Sequence, residues 1–185
     1  MNLPIGVILY GGPASGKDTV TEQLGQVSEH TQLFRRIKIG SGRTAGYRMS
    51  TPEHLASLRA GGQVVWENER YGSVYVIDRP ELERMAREGL VPVVHIGQAA
   101  AIDAIRSTAG PFRWIVVELW CTLEIARERI EARQTGDTAE RLHAWAETGH
   151  LTGPDLFVDT GSTSAATAAG QIQEILACAH SSSPR

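Results

Sequence analysis

Ile5-Gly6-Val7-Ile8-Leu9-Tyr10, followed at once by Gly11-Gly12-Pro13-Ala14-Ser15-Gly16-Lys17-Asp18-Thr19, decides how the rest of the chain is read. The first six residues form a short apolar run stopped by two glycines, the pattern of a buried strand. From Gly16 to about Glu29, Val20, Leu24 and Val27 recur on one face at helical spacing. Between them stand a glycine, four residues, a glycine and a lysine. Strand, glycine loop and helix in this order make a phosphate-binding loop. Its glycines let backbone N–H groups curl round a phosphate without a Cβ in the way. The start of the helix adds partial positive charge, and Lys17 can reach the terminal phosphates. Gly11, Pro13, Ala14, Ser15, Gly16, Lys17, Asp18 and Thr19 are therefore the expected phosphate-contacting residues.

The loop departs from the usual pattern at one place. The Ser or Thr that normally follows the lysine and holds Mg²⁺ is Asp18 here, with Thr19 next. Two readings stay open. Either Asp18 meets Mg²⁺ directly or through water while Thr19 meets a phosphate, or Asp18 only caps the helix. Asp18 and Thr19 are the metal candidates.

The chain of 185 residues fits one domain and can bury a core without staples. A hydrophobic fraction of 42% is ordinary for a globular protein, and a net charge of -3 argues against a general nucleic-acid binder. A local basic pocket for phosphates remains compatible with that charge. Cys121 and Cys178 give neither a disulfide framework nor zinc spacing. The apolar run at Ile5–Tyr10 is far too short to span a membrane. These points lead to the expectation of a cytoplasmic protein without nucleic-acid or membrane partners, as a monomer or a homodimer.

Further along, strands are expected at Arg35–Ile39, Gln63–Trp66, Ser73–Ile77, Leu90–Ile96, Trp114–Trp120 and Leu156–Asp159. Helices are expected from Thr51-Pro52-Glu53 to Gly61, over Pro80–Glu88, Ala99–Ser107, Thr122–Arg133, Ala139–Glu147 and Ala165–Ala179. The alternation predicts an α/β fold of the P-loop NTPase class, a mainly parallel sheet flanked by helices. The stretch around 40–77 breaks the rhythm and is the natural place for an inserted acceptor-binding lobe. The expected division is a core of 1–39 and 78–128, a lobe of about 40–77, a lid of about 129–145, and a final strand and helix within 154–180.

Arg129 and Arg133 lie four residues apart on one helix face, a break follows at Gln134–Thr138, and then comes Arg141. A solvated helix with Glu–Arg pairs would give the same spacing. Downstream of a phosphate loop, arginines flanking a hinge instead fit a lid that closes on a transferring phosphoryl group. His95, at the end of an apolar strand, is either a packed residue or a ligand contact. Trp66 is either core filler or a stacking wall.

Taken in order, the phosphate loop, the Leu58–Trp66 stretch, Tyr71-Gly72-Ser73, the Leu90–Gln98 strand and the Arg129–Arg141 segment resemble guanylate kinase over most of the chain. The resemblance implies an ATP- and Mg²⁺-dependent kinase acting on a small phosphorylated acceptor, first of all a nucleoside monophosphate. Carried over by position, Lys17, Arg129, Arg133 and Arg141 grip phosphates. Arg43 and Tyr71 meet the acceptor's phosphate, and Tyr47, Trp66, Asn68 and His95 line the acceptor site. The lobe departs from that family's pattern. Asn68 stands where a glutamate is usual, and His95 and Gly97 stand where two aspartates are usual. Two alternatives therefore stay open: a sugar-phosphate kinase resembling ribose 1,5-bisphosphate phosphokinase, and a non-catalytic guanylate-kinase-like binding module.

Overall fold

A computed structural model describes residues 3–108, 110 and 112–181. Its centre is a five-stranded parallel sheet in the order β2-β7-β1-β8-β9. These strands are β1 (Ile5–Tyr10), β2 (Thr31–Leu33), β7 (Val91–Ile96), β8 (Arg113–Trp120) and β9 (Leu156–Asp159). β1 lies between β7 and β8, with Ile8 beside both Val94 and Val116. Every residue of β1 is buried, as its unbroken apolar run requires of an interior parallel strand.

Helices cover both faces of the sheet. On one, Val20 and Leu24 of α1 (Lys17–Val27) and Ala168, Ile172 and Leu176 of α7 (Ala165–Ser181) pack on Val7, Leu9, Val93 and Val117. On the other, Leu82 and Met85 of α3 (Arg79–Arg87) and Ile102 and Ile105 of α4 (Ala100–Thr108) pack on Ile8, Val94 and Val116. Gly6 admits the Trp114 ring against the backbone of β1, since a Cβ there would lie 2.7 Å from Trp114 Cε3.

A second sheet, in the order β4-β3-β6-β5, carries the segment that interrupts the alternation. It comprises β3 (Ile37–Ile39), β4 (Arg48–Met49), β5 (Val64–Arg70) and β6 (Ser73–Asp78). β5 and β6 form an antiparallel hairpin, β3 runs antiparallel to β6, and β4 lies parallel to β3. Helix α2 (Pro52–Ala60) covers its back, where Leu55 and Leu58 meet Ile37 and Val76. Thr51 starts that helix as the sequence implies, its hydroxyl accepting from the His54 N–H.

Two strands escape the sequence reading. The edge of the parallel sheet is β2, three residues interrupted by Gln32. The strand expected over Arg35–Ile39 shortens to β3 and joins the second sheet. β4, two residues long, lies in a stretch to which the sequence assigns no element. Helices α5 (Leu123–Glu131) and α6 (Thr138–Glu147) lie between β8 and β9, joined by the turn at 132–137.

Candidate active site

The glycine loop closes over its own lysine. The Lys17 ammonium donates to the carbonyls of Gly11 at 2.5 Å and Gly12 at 2.8 Å, and to Ser15 Oγ at 3.2 Å. Burial pulls Lys17 down to about 7; Asp18 opposes the shift, while Arg36 and Arg133 add to it. Gly11 has no room for a side chain, since an added Cβ would press on the Leu119 carbonyl oxygen and stand 2.6 Å from Ser15 Oγ. This is the bare backbone cradle that a phosphate chain needs.

Helix α1 begins at Lys17 with Gly16 in the cap position and no side chain bonded as a cap. Asp18 stands in the first turn of the helix, and its half-exposed carboxylate faces the cleft. Arg43 Nη1 donates to Asp18 Oδ2 at 3.3 Å, and His95 Nδ1 lies 3.5 Å from Oδ1. The other ring nitrogen of His95 is 2.8 Å from Thr21 Oγ1. Burial and the nearby Lys17 ammonium pull His95 down to about 3, so it is neutral at ordinary pH. Thr19 is exposed and lies outside the cleft lining.

Of the three arginines expected in a lid, Arg133 and Arg141 line the cleft. Arg129 does not. It donates to the Ala14 carbonyl at 3.0 Å and to Thr160 Oγ1 at 3.1 Å and the Thr160 carbonyl at 2.7 Å. Thr160 Oγ1 in turn donates to the carbonyl of Ser15 or Trp120, each 3.1 Å away. Arg129 thus ties the phosphate loop to the turn after β9. Nothing in the sequence marks Thr160 as its partner.

The second sheet faces the cleft with one side only. Strand alternation puts Trp66, Asn68 and Arg70 of β5 on that side, and Lys38, Tyr75 and Asn68 stand in one cross-strand row. Glu67 points the other way, where Arg59 holds it at 2.7 and 3.0 Å, and Glu69 is exposed. No acidic side chain of the lobe lines the cleft, whereas Arg36, Lys38, Arg43 and Arg70 do. Trp66 packs partly on the main core and also lines the cleft. Arg36, Lys38 and Tyr75 escape the sequence reading, although the alternation Arg36-Ile37-Lys38-Ile39 already signals two cations on one face.

The β5–β6 hairpin and helix α6 meet above the cleft. Arg70 Nη1 donates to Glu147 Oε2 at 3.0 Å, and the Arg141 guanidinium lies 5.2 Å from the centre of the Tyr71 ring. Arg141 Nε also donates to Asp137 Oδ1 at 2.6 Å. The enclosed space is about 560 Å³, within the range of small-molecule sites. Tyr47, Tyr71, Asn68, His95 and Arg43 all face it.

The cradle and the buried ammonium fit a polyphosphate. Among the described residues there is no group of three or more His, Cys, Asp or Glu side chains able to hold a metal ion. Asp18 alone at the loop fits an ion that arrives with a phosphate chain, not one held by protein ligands. No helix of the described residues is long and apolar enough to cross a membrane.

The chain has a P-loop α/β fold of the guanylate-kinase-like kind. Among solved structures the chain is similar to guanylate kinase from Anaplasma phagocytophilum, with TM-score 0.68 and 18% identity over 96% of this chain and 86% of that one. It is also similar to the protein APE1195, with TM-score 0.58 and 16% identity over 96% of this chain and 97% of that one. No protein-family model and no curated protein matches the sequence.

Proposed function

We propose that the protein is an ATP-dependent kinase that transfers a phosphoryl group to the phosphate of a small acceptor. One observation carries the reading: a single cleft joins the Lys17 cradle, the lid residues Arg133 and Arg141, and a cationic lobe face. The chemistry needs little more. The bond from the γ-phosphorus to its bridging oxygen breaks, an acceptor phosphate oxygen forms the new bond, and ADP leaves. That oxygen is already anionic, so no general base is required. Positioning and charge stabilisation supply the acceleration. Lys17 would steady the terminal phosphates from the loop side, and Arg133 and Arg141 would spread over the transferring group from the lid. Asp18 would hold the Mg²⁺ that accompanies ATP, and that ion would offset phosphate charge. Arg43 and Tyr71 would take the acceptor's phosphate.

An intact Lys17 favours catalysis over a binding module. Among acceptors, the cleft face of the lobe favours a sugar phosphate over a guanine nucleotide. A guanine edge offers N–H donors that a carboxylate accepts, and Glu67 and Glu69 both face away. The test is ATP consumption by purified protein with Mg²⁺ against GMP, dGMP, AMP, CMP, UMP, dTMP and ribose 1,5-bisphosphate. Turnover with at least one acceptor, abolished in Lys17→Ala, supports the reading. Acceptor-dependent turnover that survives in Lys17→Ala refutes it.

A further inference from the structure

Thr21, His95 and Asp18 are linked end to end. Thr21 Oγ1 is 2.8 Å from His95 Nε2, and His95 Nδ1 is 3.5 Å from Asp18 Oδ1. A hydroxyl, an imidazole and a carboxylate in this order have the connectivity of a nucleophilic triad. Here the hydroxyl has nothing to attack. Thr21 is buried and lies outside the cleft lining, whereas Asp18 and His95 belong to it. The chain of contacts therefore runs the other way, from a fixed hydroxyl to a carboxylate at the cleft.

The proton positions follow from the partners. A carboxylate only accepts, so the Nδ1 that faces it carries the N–H. His95 is buried beside the Lys17 ammonium, with Arg36 and Arg43 also near, and stays neutral. A neutral ring has one N–H, so Nε2 accepts from the Thr21 hydroxyl. Thr21 thereby selects the tautomer that can donate to Asp18.

Both anchors are rigid. His95 sits on the interior strand β7, in register with Leu9 of β1. Asp18 and Thr21, three residues apart in α1, share a helix face. From the cleft side Arg43 draws on Asp18 Oδ2 at 3.3 Å, through an exposed pair. His95 holds Oδ1 against that pull from the sheet side.

Resting on the kinase reading above, we infer that His95 is a positioning residue, its tautomer set by Thr21, that orients the Asp18 carboxylate for the Mg²⁺ accompanying ATP. Two departures from the usual pattern, the aspartate after the loop lysine and the histidine near the end of β7, are then parts of one arrangement. The carboxylate that replaces a hydroxyl acquires a partner behind it, as carboxylates that ligate metals do.

Two measurements on the full chain test this. Nitrogen–proton NMR of the imidazoles in the ligand-free protein should find His95 neutral, with its proton on Nδ1. In Thr21→Val, which keeps the shape and removes the hydroxyl, the two tautomers should mix. Electron paramagnetic resonance of free Mn²⁺, with a non-hydrolysable ATP analogue present, reads metal affinity, and calorimetry in EDTA reads the analogue alone. His95→Leu should weaken Mn²⁺ binding about tenfold, the scale of losing a partner behind a metal ligand. Its affinity for the analogue in EDTA should change little. His95→Asn, whose amide N–H can stand in for Nδ1–H, should recover most of the loss. Circular dichroism checks that the variants fold, and the wild-type tautomer judges the inference without them. A proton on Nε2 in wild type, Mn²⁺ affinity unchanged in folded His95→Leu, or no recovery in folded His95→Asn overturns the inference alone. A wild type that binds the analogue neither with Mn²⁺ nor in EDTA overturns the kinase reading, and the inference with it.

Discussion

Arg70, at the tip of the lobe hairpin, donates to Glu147 near the end of the lid helix α6 at 3.0 Å, joining residues that are 77 positions apart. Beside that pair, Arg141 of α6 lies over the ring of Tyr71. The two contacts hold lobe and lid together across the mouth of the cleft. Exposed ion pairs contribute little to global stability, roughly 0–1 kcal/mol. Arg70→Ala should therefore leave the unfolding free energy nearly unchanged while raising the acceptor's KM, because closure loses a contact. Chemical denaturation and steady-state kinetics on one preparation check this. A large stability loss with unchanged KM would show a structural role instead.

Lys17 sets a pH dependence in the ligand-free protein. Its pKa falls from 10.5 unfolded to about 7 folded. Between those values the unfolded chain binds more protons, so stability rises with pH across that window. Below about 7 the buried ammonium is charged in both states and its cost is present in full. Lys17→Met should remove the cost. The variant should be more stable than wild type near pH 6, with the advantage shrinking toward pH 10. Urea denaturation at several pH values measures this, and a variant less stable at pH 6 would contradict it.

Arg129 is placed to act on the loop and not on the substrate. Its three hydrogen bonds reach the Ala14 carbonyl and Thr160. Arg129→Met should cost about 1.5–3 kcal/mol of stability. It should also speed amide hydrogen exchange in the phosphate loop. Thr160→Val, which removes the shared hydroxyl, should loosen the same amides to a smaller degree. Exchange confined to the lid would argue that Arg129 serves the lid instead.

Gly6 tests the packing of the central sheet. An alanine methyl there must displace the Trp114 ring, which is 7% exposed and fixed between β1 and Phe112. Overpacking of this kind costs about 1–3 kcal/mol. Thermal unfolding of Gly6→Ala gives the value directly, and no loss would mean that the ring has room to move.

The parallel core is legible in the sequence because its strands are long apolar runs. Ile5–Tyr10 and Trp114–Trp120 admit few other readings, and the loop that follows the first is marked by residue type alone. The lobe is less legible because its strands are short and two-faced. Thr31–Leu33 and Arg48–Met49 hold too few residues to show a period. Arg36 and Lys38 look like ordinary surface cations until β6 brings Tyr75 beside them, and Tyr47 arrives from a loop. Glu67 illustrates the same limit. Its distance from Asn68 along the chain is one residue, but strand alternation turns it to the opposite face, against Arg59. Arg129 and Arg133 have the spacing of one helix face, yet α5 ends at Glu131, and the reach of Arg129 to Thr160 depends on where β9 ends.

The most direct test of the central claim is phosphorus NMR of the protein incubated with ATP, Mg²⁺ and the acceptor that binds most tightly. The account predicts that ADP appears together with coupled phosphorus signals from a new diphosphate on the acceptor, and that Lys17→Ala produces neither. ATP loss that yields only inorganic phosphate, or diphosphate formed equally by Lys17→Ala, would contradict it.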